Sequence, residues 1–116
     1  MKSLFSRIID RELPAEVIYE DEQCIAIRDA HPVAAVHALL IPKRPIPRLS
    51  EAGAGDQELL GYLLRIATTV ASKLGIARTG FRVIINNGKD AGESVPHLHL
   101  HLLGGEALGW KHGGSN

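Results

Sequence analysis

The alternation of apolar and polar positions is sharpest over Pro96–Leu103, where each of three histidines is followed by a leucine. A period of two residues is that of a β-strand, so the pattern predicts a strand whose leucines point into a core. The imidazoles would then line the opposite face together. The three histidines are His97, His99 and His101.

Periodicity elsewhere predicts two helices and four more strands. Apolar residues at helical spacing after Ser3, a suitable N-cap, predict a short helix that ends near Pro14. A longer helix is predicted from an N-cap at Asp56 to a stop at Gly75. The further predicted strands are Glu16–Glu20, Cys24–Asp29, His37–Ile41 and Phe81–Asn86.

These elements predict one domain of the α+β class over residues 1–116, with a core over about 4–103 and a C-terminal tail over 104–116. A chain of this length buries roughly two thirds of the surface that its unfolded form exposes, which is enough for one core. Because short connections join consecutive strands, we expect a five-stranded antiparallel meander sheet with one long and one short helix.

The charge balance and the cysteine content narrow the classes of partner and compartment. Thirteen basic and thirteen acidic side chains cancel, so the broad positive field of a nucleic-acid-binding protein is not expected. The N-terminal segment is charged and has no apolar signal region, and no uncharged run is long enough to cross a membrane. The single cysteine, Cys24, is predicted to be a core residue of a cytoplasmic protein.

Two loops are rich in residues with special backbone or hydrogen-bonding properties. Asn86–Ser94 is longer than a hairpin turn requires and contains glycines whose backbone N–H groups could hold a phosphate. The alternative is a mobile hairpin tip. Pro42–Arg48 holds three prolines and three basic residues and is interpreted as a solvated connector.

The row of imidazoles is the strongest candidate for chemistry. Like charge and partial burial both disfavour the protonated form, so neutral rings with free lone pairs are expected at neutral pH. Such rings act as general bases, nucleophiles, metal ligands or partners of an anion. With His37, the row holds enough nitrogens for tetrahedral zinc, but no Cys, Asp or Glu beside it in the sequence completes a familiar ligand pattern. We therefore expect no metal and keep a zinc-binding histidine cluster as the alternative.

The segment His-Leu-His-Leu-His-Leu-Leu resembles the signature of the histidine-triad (HIT) superfamily, in which apolar residues separate three histidines. The flanks resemble the Hint branch, the nucleotide-binding phosphoramidases. They are Phe5–Ile9, Leu13–Ala15, Tyr19–Glu22, His37, Ile41–Lys43, Asn86–Ser94, Gly104–Gly105 and Trp110. The resemblance runs from about Leu4 to Trp110.

This resemblance implies a hydrolase that cleaves purine nucleoside 5′-phosphoramidates, such as adenosine 5′-phosphoramidate, or the mixed anhydride of aminoacyl-adenylates. His99 matches the nucleophile that forms a covalent nucleotidyl-histidine, and the products include a nucleoside monophosphate. A backbone carbonyl, that of His97, could hold the other ring nitrogen of His99. The proton for the leaving group is assigned to the set formed by His37, His97 and His101, without a choice among them. No cofactor is implied.

The resemblance also assigns the residues that would bind the nucleotide. Asp29 matches the ribose ligand, and the phosphate ligands are Asn86, Gly92 and Ser94, with His99 and His101. Leu4, Phe5, Ile8 and Ile27 match the apolar wall around the purine, although Ile27 stands where animal members usually carry Phe.

A homodimer is also implied by the resemblance, with two sheets joined edge to edge and the long helices packed together. A regulatory nucleotide-binding module with vestigial catalysis stays open as a further alternative.

Overall fold

The computed structural model describes residues 2–110, so the last six residues of the predicted tail lie outside the described residues. Two helices and five strands are present, and short 3₁₀ turns lie at Leu49–Glu51, Ala54–Asp56 and Lys89–Ala91. The helices are α1, Leu4–Ile9, and α2, Gln57–Lys73. The strands are β1, Val17–Glu20; β2, Cys24–Arg28; β3, Val36–Pro42; β4, Phe81–Ile84; and β5, Leu100–Gly104.

The fold class is confirmed: a five-stranded antiparallel sheet carries one long and one short helix, but the sheet is not a complete meander. The strand order is β1-β2-β3-β5-β4, with β5 antiparallel to both β3 and β4. Since β3 and β4 are therefore parallel, the chain between them has to cross over, and α2 makes this crossover. Strand β5, the second strand of the final hairpin, then lies between β3 and β4.

The last strand begins later than predicted, at Leu100 and not at Pro96. Pro96 has no N–H, and the next two N–H groups bond outside the ladder. His97 N–H donates to the Val95 carbonyl at 2.8 Å, and Leu98 N–H donates to the Ile46 carbonyl at 2.6 Å. The predicted alternation nevertheless holds, because the leucines of this segment enter the core beneath α2 while its histidines face away.

Other element ends also differ from the predictions. Helix α1 ends at Ile9, well before Pro14, and Arg11 adopts a left-handed backbone with a φ of 64°. Strand β4 ends at Ile84, so Asn86 lies in the following loop. Asp56 precedes α2 as predicted but does not cap it with its side chain, because its carboxylate accepts from Gly53 N–H at 2.9 Å.

The core lies on both faces of the sheet. The larger cluster packs α2 against one face through Leu63, Ile66 and Val70. The smaller cluster packs α1 against the other face through Phe5 and Ile8. Short α1 therefore covers the face that carries the histidines, and Cys24 is a buried core residue as predicted.

The proline-rich segment is not the solvated connector that its composition indicates. Ile46 is buried in the main core, and its carbonyl accepts the Leu98 N–H just described. Arg48 pairs with Glu93 in the loop before the histidine row. Three prolines stiffen the segment, so these two contacts hold it against the body of the protein. Within residues 2–110, no helix is both long and apolar enough to cross a membrane.

Candidate active site

A cavity of about 630 Å³ lies between α1, the end of β2 and the approach to β5. Eight of the residues predicted for the site line it together. They are Leu4, Phe5, Ile8, Ile27, Asp29, Ser94, His99 and His101. One cavity thus combines an apolar wall with a carboxylate and two imidazoles, which is the usual composition of a small-molecule site.

Four other predicted residues lie outside the lining of this cavity. His37 and His97 are buried behind it, with exposed fractions of 3% and 1%. Asn86 and Gly92 belong to the loop before the histidine row, and Gly92 has a left-handed φ of 81°.

The ring of His99 is held in one tautomer. His99 Nδ1 lies 2.7 Å from the His97 carbonyl, the partner expected from the sequence. Because a carbonyl can only accept, Nδ1 carries the proton and donates it. In the neutral ring the lone pair is therefore on Nε2. The edge of Phe5 packs against the ring, with 4.8 Å between ring centroids, and limits its rotation.

A chain of hydrogen bonds fixes the tautomers of His37 and His101. Val33 N–H donates to His37 Nδ1 at 3.1 Å, so the neutral His37 ring carries its proton on Nε2. This Nε2–H donates to His101 Nδ1 at 2.9 Å, which leaves the His101 proton on Nε2. Among the described residues, His101 Nε2 is a buried nitrogen without a hydrogen-bond partner.

Both ring nitrogens of His97 are engaged in hydrogen bonds. Nε2–H donates to the Pro42 carbonyl at 2.8 Å, so Nδ1 is the acceptor. The hydroxyl of Ser3 lies 2.9 Å from Nδ1 and that of Ser6 lies 3.2 Å away. The ring of His97 thus links α1 to the end of β3 beneath the cavity.

Asp29 follows β2, and the pairing of β2 with β3 places it close to the histidines. Its backbone N–H donates to the His37 carbonyl at 3.0 Å, and its Oδ2 lies 3.2 Å from His37 Nε2. Its Oδ1 accepts from His31 N–H at 2.8 Å. Each carboxylate oxygen has two lone pairs, so both oxygens can also accept from ligand hydroxyls.

The four clustered histidines favour the neutral form, as the sequence predicts. Burial lowers the pKa of each, and the nearby Asp29 opposes this shift at His37, His99 and His101. The effect is largest at His101, where burial and the adjacent rings of His99 and His37 lower the pKa to about 4. Neutral rings with fixed tautomers are suited to nucleophilic attack and hydrogen bonding.

This burial predicts that acid destabilises the fold. In the unfolded chain the histidines bind protons near their ordinary pKa of 6.5, whereas in the folded protein they bind protons only at lower pH. The stability contributed by the neutral histidines is therefore fully present above pH 6.5. It is lost as the pH falls toward the pKa values of these histidines in the folded protein. For His101, this loss amounts to roughly 3 kcal/mol. The free energy of unfolding from urea titrations should therefore decrease between pH 7.5 and 4.5.

Two variants separate this effect from general acid sensitivity. His101→Asn should flatten the dependence of unfolding free energy on pH, whereas the control Ile66→Val, which removes a buried methyl group and no titratable group, should keep the wild-type slope. Equal free energies of unfolding at pH 7.5 and 4.5 in the wild type would contradict the expected linkage.

The zinc alternative has more support in the structure than the sequence indicates. Asp29 joins His37 and His101, and their potential ligand atoms lie within 4.8 Å of one another. The sequence argument against zinc, which relied on the lack of a neighbouring carboxylate, is therefore wrong in this respect. The same three residues are joined by the His37–His101 hydrogen bond and by the 3.2 Å contact between Asp29 and His37, while His101 Nε2 has no hydrogen-bond partner among the described residues.

Several residues of the site were not predicted from the sequence. His31 is exposed and lies at the cavity wall together with Arg28 and Val95. The serines that face His97 are also new, and so is the Arg48–Glu93 pair. Their signal in the sequence is weak because each contact joins segments that are far apart along the chain.

Comparison with known proteins gives consistent matches over nearly the whole chain. The family model described as the HIT domain matches residues 10–108. An uncharacterized HIT-like protein of Synechocystis sp. is 52% identical over 111 residues, which are 96% of both chains. The crystal structure of a HIT family hydrolase from Legionella pneumophila Philadelphia 1 has a TM-score of 0.93 at 38% identity, covering 97% of this chain and all of the other. A HIT family hydrolase from Clostridium thermocellum has a TM-score of 0.91 at 46% identity, with 95% and 96% of the two chains covered.

Proposed function

Because the chain belongs to the HIT-domain family, we propose that it is a nucleotide-binding hydrolase of purine nucleoside 5′-phosphoramidates, such as adenosine 5′-phosphoramidate. The mixed anhydride of an aminoacyl-adenylate is a related substrate. In both cases the bond that breaks joins the α-phosphorus to its leaving group. The nucleoside monophosphate is the common product.

The observation that carries this proposal is the pair of Nε2 atoms on His99 and His101, two residues that line the cavity. His99 Nε2 carries a lone pair, while His101 Nε2 carries a buried N–H that has no partner among residues 2–110. An unsatisfied buried donor costs about 1 to 3 kcal/mol, and an anionic phosphate oxygen would satisfy it. Displacement at a phosphoryl centre requires a nucleophile and, beside it, a hydrogen-bond donor for the phosphate oxygen.

The proposed reaction has two displacement steps at the α-phosphorus. His99 Nε2 attacks, the bond to the leaving amine breaks, and the amine departs with a proton. Water then attacks the nucleotidyl-histidine, its proton passes to the site, and the bond between phosphorus and Nε2 breaks. The covalent intermediate divides one difficult substitution by water into two easier ones.

Among the histidines assigned to the proton, His101 is the best placed to transfer it. It lies at the cavity, whereas both nitrogens of His97 are engaged in other hydrogen bonds. The negative phosphate would raise the pKa of His101 above its value in the free protein. His37 supports His101 from behind through the 2.9 Å hydrogen bond, so its role is indirect.

The nucleoside would bind across the apolar wall and the carboxylate. Leu4, Phe5, Ile8 and Ile27 surround the base, and Asp29 accepts from the two ribose hydroxyls. The loop residues Asn86, Gly92 and Ser94 are proposed to bind the phosphate together with the imidazoles. Ser94 is the exposed cavity residue of this loop.

We further propose that the protein is cytoplasmic and forms a homodimer. Two of its surfaces suit such an assembly. Strand β4 is an edge of the sheet, so its backbone can continue into a second copy. On α2, Leu64 is an apolar residue that is 56% exposed, and Leu60 beside it is half-buried. Packing of α2 against a second copy would cover both leucines.

The test is release of AMP from adenosine 5′-phosphoramidate by purified, untagged protein, before and after dialysis against a strong chelator. We expect turnover that persists after chelation. Stoichiometric zinc together with activity lost on chelation would favour the zinc alternative through Asp29, His37 and His101. Tight AMP binding without measurable turnover would favour the regulatory module and would refute the proposed hydrolase.

A further inference from the structure

The loop Asn86–Ser94 is held to the proline-rich segment by one bidentate ion pair. Arg48 Nε lies 3.0 Å from Glu93 Oε1, and Arg48 Nη2 lies 3.0 Å from Oε2. A second link runs parallel to it, because Ser50 N–H donates to Asn87 Oδ1 at 2.8 Å. The segment before α2 therefore holds the loop at two points.

Glu93 also shapes the loop from within. Its Oε1 accepts from Gly88 N–H at 2.8 Å, and its own N–H donates to the Gly88 carbonyl at 3.1 Å. These two bonds close the turn that carries Gly92 and leads directly into Ser94. The Glu93 side chain is only 12% exposed, so this pair is not an ordinary surface salt bridge.

A carboxylate in this position is unexpected beside a site for an anion. Unpaired, Glu93 would repel a phosphate and weaken its binding. Bidentate pairing with Arg48 offsets the charge while keeping the two bonds to Gly88. The guanidinium thus makes a structurally useful carboxylate compatible with phosphate binding.

We propose that Arg48 and Glu93 are a positioning pair that holds the phosphate loop in its binding conformation and keeps the carboxylate of this loop neutralised. This inference rests on the proposed function of the cavity. Neither side chain needs to touch the reacting atoms. Arg48 acts through Glu93, and Glu93 acts through the loop.

The kinetic test uses Arg48→Met, Glu93→Gln and the double variant on adenosine 5′-phosphoramidate. Arg48→Met should raise KM about tenfold, the loss expected for a charged hydrogen-bonding partner, with a smaller change in kcat. The double variant should recover most of this loss, because it removes the carboxylate of Glu93, whereas Glu51, the other partner of Arg48, is half exposed to solvent. The matched control is Arg44→Met, on the same segment but paired with Asp56 at 2.9 Å, and its KM should match the wild type.

Equilibrium binding of AMP, measured by calorimetry, separates this inference from the proposed function. Weaker AMP binding by Arg48→Met than by the wild type and Arg44→Met, with recovery in the double variant, would support the pair even if the wild type releases no AMP. A double variant that binds AMP no better than Arg48→Met would overturn it. An unchanged KM in Arg48→Met with normal wild-type turnover would also overturn it, while leaving the hydrolase intact.

Discussion

Replacing His99 with alanine is expected to reduce kcat/KM for adenosine 5′-phosphoramidate by at least about 10³-fold. The physical reason is that no other lone-pair nitrogen occupies its position. His97 is engaged at both nitrogens, and His101 presents an N–H to the cavity. AMP affinity should fall much less than kcat, because the apolar wall and Asp29 remain. Rates of AMP release and equilibrium binding of AMP measure the two effects separately.

Trapping of the covalent intermediate tests the same assignment. Acid quenching during turnover of a radiolabelled substrate should leave nucleotide attached to the wild type and none attached to His99→Ala. The control His112→Ala, which removes a histidine outside the row, should still form the labelled intermediate. Label retained on His99→Ala, or equal AMP release by both proteins, would show that His99 is not the nucleophile.

The histidine row and its burial pattern could be predicted because they depend on local periodicity. Alternation of leucine and histidine places the two residue types on opposite faces whether or not the backbone joins the sheet. The strand boundary could not be predicted in this way. It depends on where the backbone N–H groups near Pro96 find partners, and Ile46 supplies one of them from a distant segment.

The residues around the row illustrate a second limit of sequence reasoning. Asp29 reaches His37 because β2 and β3 pair in one register, with Arg28 opposite Ala38. A shift of one residue would turn the Asp29 side chain to the other face, and no local pattern fixes that shift. Arg48 and Glu93 are likewise 45 residues apart, so composition alone indicates a solvated cation and a loop carboxylate.

His101→Gln is expected to slow cleavage of adenosine 5′-phosphoramidate by roughly 10² to 10⁴-fold, the usual contribution of a positioned acid. An amine is a poor leaving group unless it receives a proton. The loss should be much smaller for the p-nitrophenyl ester of AMP, because p-nitrophenolate leaves without one. Measuring kcat for both substrates gives the ratio that identifies proton transfer, since a misfolded site would lose both activities alike.

The dependence on pH supplies a second, independent readout for His101. A phosphate bound beside the ring favours its protonated form, so the wild-type kcat for the amine substrate should decline as the pH rises and that proton is lost. His101→Gln should lack this decline. His37→Gln should retain the decline of kcat at a shifted pH and should lose less rate than His101→Gln. The reason is that His37 contacts His101 and does not line the cavity. Equal losses on both substrates would instead assign His101 to phosphate binding alone and return the proton to another donor.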